Sequence, residues 1–385
     1  MQDSASKNTI SGETFELPPQ QTRLEEFWSQ LRKNRLAFTG LLIFGFFFLV
    51  AVVGMILTTG TSPMLDPSLV RLQEKLRPPL SGPNLESLLP EEVPPLRVYL
   101  LGTDELGRDV FARMLQGAWV SLTVGFVAVG LAVIIGVLLG GLSGYYGQNS
   151  IRVGQVILVL LAMWVALGWS RMSGVYLVIL AAMAMVVLAS MVLLRGERTY
   201  GVFSFLDARL ISVDALITSL IDIMLCFPSF FLILTVVALL PASIYNIMVI
   251  IGLTSWMGAA RFVRAEFLSL REQDFVTAAR ALGVSDWRII FRHMVPNAIA
   301  PVLVSATIGI AGAILTEAGL SFLGFGVPPP HATWGNILSD GKNYLFDAPW
   351  LTVIPGVAIL VVVLSFNLFG EGLRDILNPK LRERH

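Results

Sequence analysis

The side chains that enzymes most often use for catalysis are sparse in this chain. It has three histidines (His293, His331 and His385) and one cysteine, Cys226, which lies in an apolar run. The sequence contains no Gly-x4-Gly-Lys-Ser/Thr loop for ATP phosphates, no His-Glu-x-x-His zinc motif and no Cys-x-x-Cys pair. We therefore expect no catalytic residue, no metal site and no cofactor bound by this chain.

One short pattern is compatible with a serine nucleophile. The run GLSG at 141–144 matches the Gly-x-Ser-Gly motif of rhomboid-type intramembrane serine proteases. A serine nucleophile needs a histidine base within hydrogen-bond reach, and the apolar runs contain no histidine. Gly136, Gly140 and Gly144 instead form a small-xxx-small stripe that lets another helix approach closely. Helix packing is the favoured interpretation, and the protease remains the alternative.

Two acidic residues, Asp222 and Glu317, lie in or next to apolar runs. A charged residue in the hydrocarbon region costs about 2.5 to 3.5 kcal/mol on insertion scales, which makes such residues functional candidates. Both are candidates for a translocation path or its gate. The alternative is that they lie near helix ends, or pair with Arg261, Arg264 or a backbone group.

A third polar motif, GTDELGRD at 102–109, precedes an apolar run. Its acidic residues do not have the spacing of an EF-hand calcium loop. We interpret these residues as helix caps and salt-bridge partners, and a contact with an external protein is the less favoured alternative.

The composition places these residues in a membrane protein. The chain has 385 residues, of which 55% are hydrophobic and 14% charged, and its mean hydropathy is +0.73. Soluble domains carry about 25% charged residues, so we predict an all-α integral membrane protein. The 27 basic residues balance the 27 acidic ones, and no nucleic-acid partner is expected.

Apolar runs of span length predict about eight membrane helices. They lie at 36–58, 118–142, 153–170, 172–194, 214–240, 245–263, 298–324 and 350–370. The third and fourth are interpreted as a helical hairpin, with a re-entrant hairpin as the alternative. The other predicted regions are a polar tail at 1–35, with no cleaved signal, a proline-rich loop at 59–115 with a short helix near 68–77, a transmembrane domain at 116–370, and a basic tail at 371–385. In the last outer loop, Trp334 and Trp350 are expected to be interfacial anchors.

The distribution of lysine and arginine predicts the orientation. The basic residues concentrate in the two tails, in the linker at 195–211 and in the segment at 261–296, whereas the short loops on the other side carry only Arg171 and Lys342. The positive-inside rule then places both termini in the cytoplasm and the 59–115 loop outside.

The basic segment at 261–296 has its own helix signals. Asp274 is the predicted N-cap of a short helix, and Gly283 marks its end. Apolar residues at i, i+3, i+4 and i+7 predict one packed side of this helix, made of Phe275, Ala278, Ala279 and Leu282.

A second short helix is predicted directly after Gly283. Ser285 or Asp286 can cap it, and Pro296 separates it from the next apolar run. Its apolar side consists of Trp287, Ile290, Phe291 and Met294. A folded basic element between spans indicates a docking site for a cytoplasmic partner.

This element resembles the cytoplasmic "EAA" loop of ABC importer permeases, with the pattern Glu-Ala-Ala, three residues, Gly, nine residues, Ile, one residue, Leu-Pro. The corresponding positions are Thr277, Ala278, Ala279, Gly283, His293, Val295 and Pro296. The alanines, the glycine, the proline and the spacing match. Thr, His and Val replace Glu, Ile and Leu.

Four further segments narrow the resemblance to the dipeptide/oligopeptide (and nickel) permease subfamily, in its second-permease type. They lie at 101–126, 279–297, 312–335 and 348–382. The resemblance implies a type I ABC importer permease-like helical bundle with six core spans. The inserted segment at about 148–211 departs from the family pattern and would hold the extra hairpin.

The resemblance implies a role and partners for the element. It would be a coupling loop at 264–297 that contacts an ATPase subunit through eight residues, namely Asp274, Thr277, Ala278, Ala279, Arg280, Gly283, His293 and Pro296. The expected partners are a second homologous permease, two ABC ATPase subunits holding ATP and magnesium, an extracytoplasmic substrate-binding protein and the lipid bilayer. The expected location is the bacterial inner membrane and the expected substrate a peptide, with nickel or glutathione as the alternative.

Overall fold

The computed structural model describes residues 23–147, 150–152 and 209–377. Within these ranges helices are the main regular structure, accompanied by one short two-stranded ribbon. The elements in chain order are α1 (Arg23–Lys33), α2 (Arg35–Thr58), α3 (Val110–Tyr146), β1 (Ser150–Arg152), β2 (Arg209–Ser212), α4 (Val213–Leu225), α5 (Ser229–Leu239), α6 (Ile244–Leu270), α7 (Asp274–Ala281), α8 (Asp286–Phe322), α9 (Trp334–Gly341) and α10 (Trp350–Leu377).

Within the described ranges, five helices (α2, α3, α6, α8 and α10) are long and apolar enough to cross a membrane. The α4–α5 pair is a sixth candidate if it counts as one span. The predicted all-α membrane bundle agrees with this result. The two predicted hairpin spans, at 153–170 and 172–194, lie outside the described residues.

The predicted span at 214–240 is bent in the structure. The chain bends by 81° between α4 and α5. Pro228 stands at the break as the residue before α5. It has no backbone N–H, and its ring disfavours helical geometry at Phe227. Hydropathy did not reveal the bend, because both halves are apolar.

Several helices extend beyond the apolar runs that predicted them. α3 has 37 residues and begins at Val110, before the predicted domain boundary at 116. α10 continues to Leu377, through the first part of the predicted tail at 371–385. In the predicted N-terminal tail, the described part forms α1. Hydropathy marks the part of a helix that crosses the membrane, whereas capping decides where the helix ends.

The predicted separation at Pro296 is wrong, because α8 is continuous from the coupling element into its span. A π-helical turn at Ile289–Met294 precedes the proline. Proline lacks the N–H of the regular ladder and its ring crowds the carbonyl four residues earlier. The wider π turn accommodates both effects, so the helix passes through Pro296 without ending.

The ends of the predicted insertion lie side by side. β1 and β2 pair in an antiparallel ribbon, with Ser150 opposite Ser212 and Ile151 opposite Ile211. The chain therefore leaves the bundle after α3 and returns to it at the same place before α4. This arrangement agrees with an insertion between two core helices.

The outer loop between α2 and α3 has little regular structure, as expected. In place of the helix predicted near 68–77 it has one 3-10 turn, Leu72–Glu74. Glu74 is fully buried and organises the loop, because its carboxylate accepts from Arg77 Nε at 2.9 Å and from Asn84 N at 2.9 Å.

α3 is the central helix of the bundle and packs against α2, α6 and α8. The glycine stripe lies at its contact with α6. A Cβ added to Gly140 would lie 2.3 Å from the carbonyl oxygen of Ala260, and one added to Gly136 would lie 2.6 Å from Ala259 Cβ. A Cβ added to Gly144 would likewise lie 2.5 Å from Phe267 Cβ of α6. The predicted close helix approach is confirmed.

The prediction that Trp334 is an interfacial anchor is wrong. Trp334 is only 1% exposed, and its Nε1 donates to the carbonyl of Met114 at 3.1 Å. It begins α9, where Thr333 and Asn336 form a reciprocal capping box. Trp350 is half-buried and donates to the carbonyl of Thr103 at 3.3 Å.

Candidate functional site

The coupling element consists of α7 and the first turns of α8. Its first helix begins at Asp274, and Gln273 occupies the N-cap position without a side-chain hydrogen bond. The prediction of Asp274 as N-cap is therefore wrong by one residue. Asp274 still lies in the first turn, where its negative charge is favourable for the helix dipole. Thr277, at the glutamate position of the family pattern, is exposed and donates to the Asp274 carbonyl at 3.0 Å.

The helix packs through a different side from the predicted one. Val276 is fully buried and Ala279 is 8% exposed, and both belong to a cluster with buried residues of α6 and α8. Of the predicted packed side, only Ala279 faces inward. Phe275, Ala278 and Leu282 are exposed, Leu282 by 83%. We call these three residues the apolar face of α7.

Gly283 ends α7 in the predicted left-handed conformation, with φ of +74°. The N–H of Val284 donates to the carbonyl of Ala279 at 3.1 Å, and the N–H of Gly283 donates to that of Arg280 at 3.0 Å. These two bonds form a Schellman motif. The motif sets the direction in which the chain turns from α7 into α8.

A network that the sequence did not reveal joins the coupling element to α3. Tyr145, in the last turn of α3, is 5% exposed, and its hydroxyl donates to Asp286 Oδ1 at 2.6 Å. The guanidinium of Arg280 lies over the same ring, with its Cζ 4.7 Å from the ring centroid. One tyrosine thus contacts α7 and α8 at once.

A second contact between helices involves the candidate serine. Ser143 is fully buried, and its hydroxyl hydrogen-bonds to Asp214 of α4. Asp214 also accepts from Nε and Nη2 of Arg264 on α6, the latter at 2.7 Å. The Asp214 carboxylate therefore joins three helices, and the neighbour of the Ser143 hydroxyl is a carboxylate paired with arginine rather than a histidine.

His293 and Pro296 lie at the π-helical turn of α8. His293 is half-buried and its carbonyl accepts from Asn297 Nδ2 at 2.6 Å, whereas Pro296 is exposed. They are not part of the apolar face of α7. Their role in ATPase contact stays a prediction.

The two acidic pathway candidates have different environments. Asp222 is exposed and accepts from Arg261 Nη2 at 2.9 Å, which is the pairing considered for it in the sequence. Glu317 is fully buried, and the hydroxyls of Ser321 and Ser121 lie 2.7 and 3.4 Å from its carboxylate. Because Glu317 has no exposed surface in this chain, the geometry favours a role in joining α8 to α3. Its place in the pathway stays a prediction.

The motif at 102–109 forms a capping and ion-pair cluster, in agreement with the favoured interpretation. Asp104 is fully buried and accepts from Arg108 Nε at 2.7 Å and from Arg113 Nη1. Both arginines also contact Asp340 of α9, at 3.1 and 2.9 Å. The cluster therefore attaches α9 to the start of α3.

Asp109 caps α3 by accepting from the N–H of Phe111 at 2.9 Å. It is only 5% exposed. Burial raises the pKa of its carboxyl, and hydrogen bonds from the N–H groups of Phe111 and Ala112 partly oppose that rise.

Comparison with known proteins gives two family matches. Residues 202–383 match the binding-protein-dependent transport system inner membrane component family. Residues 22–79 match the N-terminal transmembrane domain of oligopeptide transport permease C.

Three relatives illustrate the similarity. The dipeptide transport system permease protein DppC of Alkalihalophilus pseudofirmus is 35% identical, over 93% of this chain and 90% of its own length. The di/tripeptide transport system permease protein DppC of Pseudomonas aeruginosa is 32% identical, over 93% of each chain. The oligopeptide transport system permease protein OppC of Bacillus subtilis is 31% identical, over 92% of this chain and 88% of its own.

A bundle of helices long and apolar enough to cross a membrane, with a short helix folded between two of them, is the architecture of a multi-pass membrane protein. The chain belongs to the dipeptide/oligopeptide permease family of ABC transporters. It is a membrane permease subunit of an ABC importer, a class that works in a complex with ATPase and substrate-binding partners. This membership supports transport over the protease alternative.

Proposed function

We propose that this permease subunit imports short peptides that an extracytoplasmic substrate-binding protein delivers. The substrate class rests on the relatives, whose names describe dipeptide, di/tripeptide and oligopeptide transport. A second, homologous permease subunit completes the path. Two ATPase subunits bind ATP and magnesium on the cytoplasmic side of the bacterial inner membrane, where both termini of this chain also lie.

The apolar face of α7 is the observation that carries the coupling role. Leu282 and Phe275 are 83% and 41% exposed, although α7 is held firmly by Val276 and Ala279 on its other side. A short anchored helix that presents apolar side chains at i, i+3 and i+7 is suited to fit a groove in a partner. The proposed occupant of this face is one ATPase subunit.

The contacts of α7 explain how movement would reach the membrane. α7 shares a buried cluster with α6 and α8, and Arg280 rests on Tyr145 of α3. Packed interfaces shift between discrete arrangements rather than deform continuously. ATP-driven closure of the ATPases would draw the coupling helices together and open the path outward, and hydrolysis would reset it.

The test uses substitutions on the apolar face in the assembled complex. Leu282→Asp and Ala278→Arg place charge in the proposed contact without disturbing the buried side of α7. We expect substrate-stimulated ATPase activity to fall at least about tenfold, as for central contacts of an interface, with membrane insertion and permease pairing intact. Glu272→Gln, an exposed change just before α7, is the matched control.

Normal stimulation in both charged variants would refute the docking role. Ala279 is less suitable for this test although it belongs to the family pattern. Because it is buried against the cluster, a bulky side chain there would disturb folding of the element as well as docking.

A further inference from the structure

Two aspartate–arginine pairs connect α4 and α6, and they differ in exposure. Asp214 and Arg264 make two hydrogen bonds and keep side-chain exposures of only 26% and 30%. Asp222 and Arg261 make a single contact at 2.9 Å, with side-chain exposures of 69% and 55%. The first pair is shielded within the chain, whereas the second faces outward from it.

An exposed ion pair on helices of a membrane protein is unfavourable next to lipid tails and favourable next to water or polar protein groups. Arg261 belongs to α6, which is long and apolar enough to cross a membrane, and Asp222 belongs to α4, the first half of the bent α4–α5 pair. Charged side chains within spans face the bundle interior or a water-filled cavity, because lipid offers them no hydrogen-bond partners. The charges of Asp222 and Arg261 therefore disfavour contact of this pair with lipid tails.

Small and polar residues also lie beside the pair on both helices, next to exposed apolar side chains such as Ile223 and Phe262. Ser219 is exposed one turn before Asp222, and Ser255 and Gly258 are exposed on α6 before Arg261. A Cβ added to Gly258 would meet nothing within 4 Å, so the space beside it is open. We call Ser219, Asp222, Ser255, Gly258 and Arg261 the polar stripe.

We propose that the polar stripe lines the aqueous translocation path, and that Asp222 and Arg261 contact the charged groups of passing peptides. The part about peptides rests on the proposed function. A zwitterionic peptide carries an ammonium and a carboxylate, which match an aspartate and an arginine. Because the pair is joined by one exposed contact, either side chain can exchange its partner for a peptide group.

Thiol labelling tests the path without requiring transport. Ser219→Cys and, as a lipid-facing control, Leu49→Cys are made in a Cys226→Ser background, and the complete complex is reconstituted in lipid nanodiscs. Leu49 is 60% exposed on the apolar helix α2. A charged, membrane-impermeant methanethiosulfonate should label Ser219→Cys at least about tenfold faster than Leu49→Cys, since thiolates form in water. Equal, slow labelling would show that lipid or another subunit covers the stripe, and would overturn the proposal.

Charge selectivity tests the contact with peptides. Uptake of Ala-Lys and Ala-Glu is measured in the complete system, and each variant is compared with the wild type so that the preference of the binding protein cancels. Asp222→Asn should lower the Ala-Lys to Ala-Glu ratio by about threefold or more, and Arg261→Gln should raise it, because each leaves one charge unbalanced. Asp214→Asn, at the shielded pair, should change the uptake of both peptides by the same factor and leave their ratio unchanged.

The outcomes separate the two proposals. An unchanged ratio in both Asp222→Asn and Arg261→Gln would mean that the pair is only structural. A wild-type complex that takes up neither dipeptide would refute the peptide substrate, while the labelling rates would still decide whether the stripe lines water.

Discussion

The guanidinium carbon of Arg280 lies 4.7 Å from the centre of the Tyr145 ring. Arg280 belongs to α7, and Tyr145 belongs to the last turn of α3, whose 37 residues run through the bundle. The hydroxyl of the same tyrosine donates to Asp286 at the start of α8. A displacement of the coupling element therefore acts on α3 and α8 together.

Graded changes at Tyr145 should reveal this connection. Tyr145→Phe keeps the ring under Arg280 but removes the hydrogen bond to Asp286, whereas Tyr145→Ala removes both. We expect Tyr145→Phe to lower the free energy of unfolding by about 1 kcal/mol through the lost hydrogen bond. Tyr145→Ala should lower it by about 1 kcal/mol more through the lost cation–π contact, in addition to the lost packing of the ring. Substrate-stimulated ATPase activity should fall in the order wild type, Phe, Ala. Equal stimulation in all three would contradict a role for Tyr145 in coupling.

The left-handed conformation of Gly283 predicts which substitutions at this position are tolerated best. Its φ is +74°, and an added Cβ would meet nothing within 4 Å, so the cost of substitution comes from the backbone alone. Gly283→Ala should cost about 1–2 kcal/mol, Gly283→Asn less, and Gly283→Val more, because β-branched residues avoid this conformation. Coupled ATPase activity and protease resistance of the loop should follow the order Gly, Asn, Ala, Val. An alanine variant better than the asparagine variant would contradict the structure.

The α3–α6 contact predicts different outcomes for two glycines of the same helix. A methyl group at Gly140 would lie 2.3 Å from the Ala260 carbonyl oxygen, whereas one at Gly130 would meet nothing within 4 Å. Gly140→Ala should destabilise the subunit by about 1–3 kcal/mol through overpacking, and Gly130→Ala should have little effect. Thermal unfolding of the purified complex measures both. Equal midpoints would show that the helices are not in this contact.

The buried cap Asp109 predicts a pH dependence of the outer loop. Burial raises its folded-state pKa above the unfolded value, so the folded state binds more protons between the two pKa values. The contribution of Asp109 is therefore fully present below the unfolded pKa and is lost as pH rises through the folded pKa. Asp109→Asn keeps a good N-cap and removes this dependence.

Hydrogen exchange of the amides at the start of α3 measures the effect. As pH rises above the ordinary pKa of an aspartate, the wild type should lose protection relative to Asp109→Asn, after correction for the intrinsic exchange rate at each pH. Parallel changes in the two proteins would show that Asp109 is not held in the buried environment described.

Local signals predicted the coupling element well. Gly283 was expected to end a short helix because glycine tolerates positive φ, and it does so with the Schellman bonds of Val284 and Gly283. The packed side of α7 was predicted wrongly, because Phe275, Val276 and Ala279 are all apolar and a helix of eight residues gives a weak periodic signal. Contacts with α6 and α8 decided that Val276 faces inward.

The surroundings of Asp222 and Trp334 likewise could not be predicted from the local sequence. Pairing with Arg261 or Arg264 is one of the alternatives that the sequence offers for Asp222, but only the packing of α4 against α6 shows that Arg261 is the partner and that the pair is exposed. Trp334 was expected at the membrane surface, because tryptophan is frequent there. The capping box of α9 and the carbonyl of Met114 place it in the core instead.

The sequence by itself determined that this chain is a helical membrane protein, where its apolar runs lie, and which basic segment between them folds into short helices. These properties depend on hydropathy and spacing within single segments, so they are readable one segment at a time. Only the tertiary structure decided which side of α7 is free, that Tyr145 holds the coupling element to α3, and that one ion pair is shielded while the other is exposed. Each of these depends on contacts between helices that are distant in sequence, and no local pattern records which surfaces will meet.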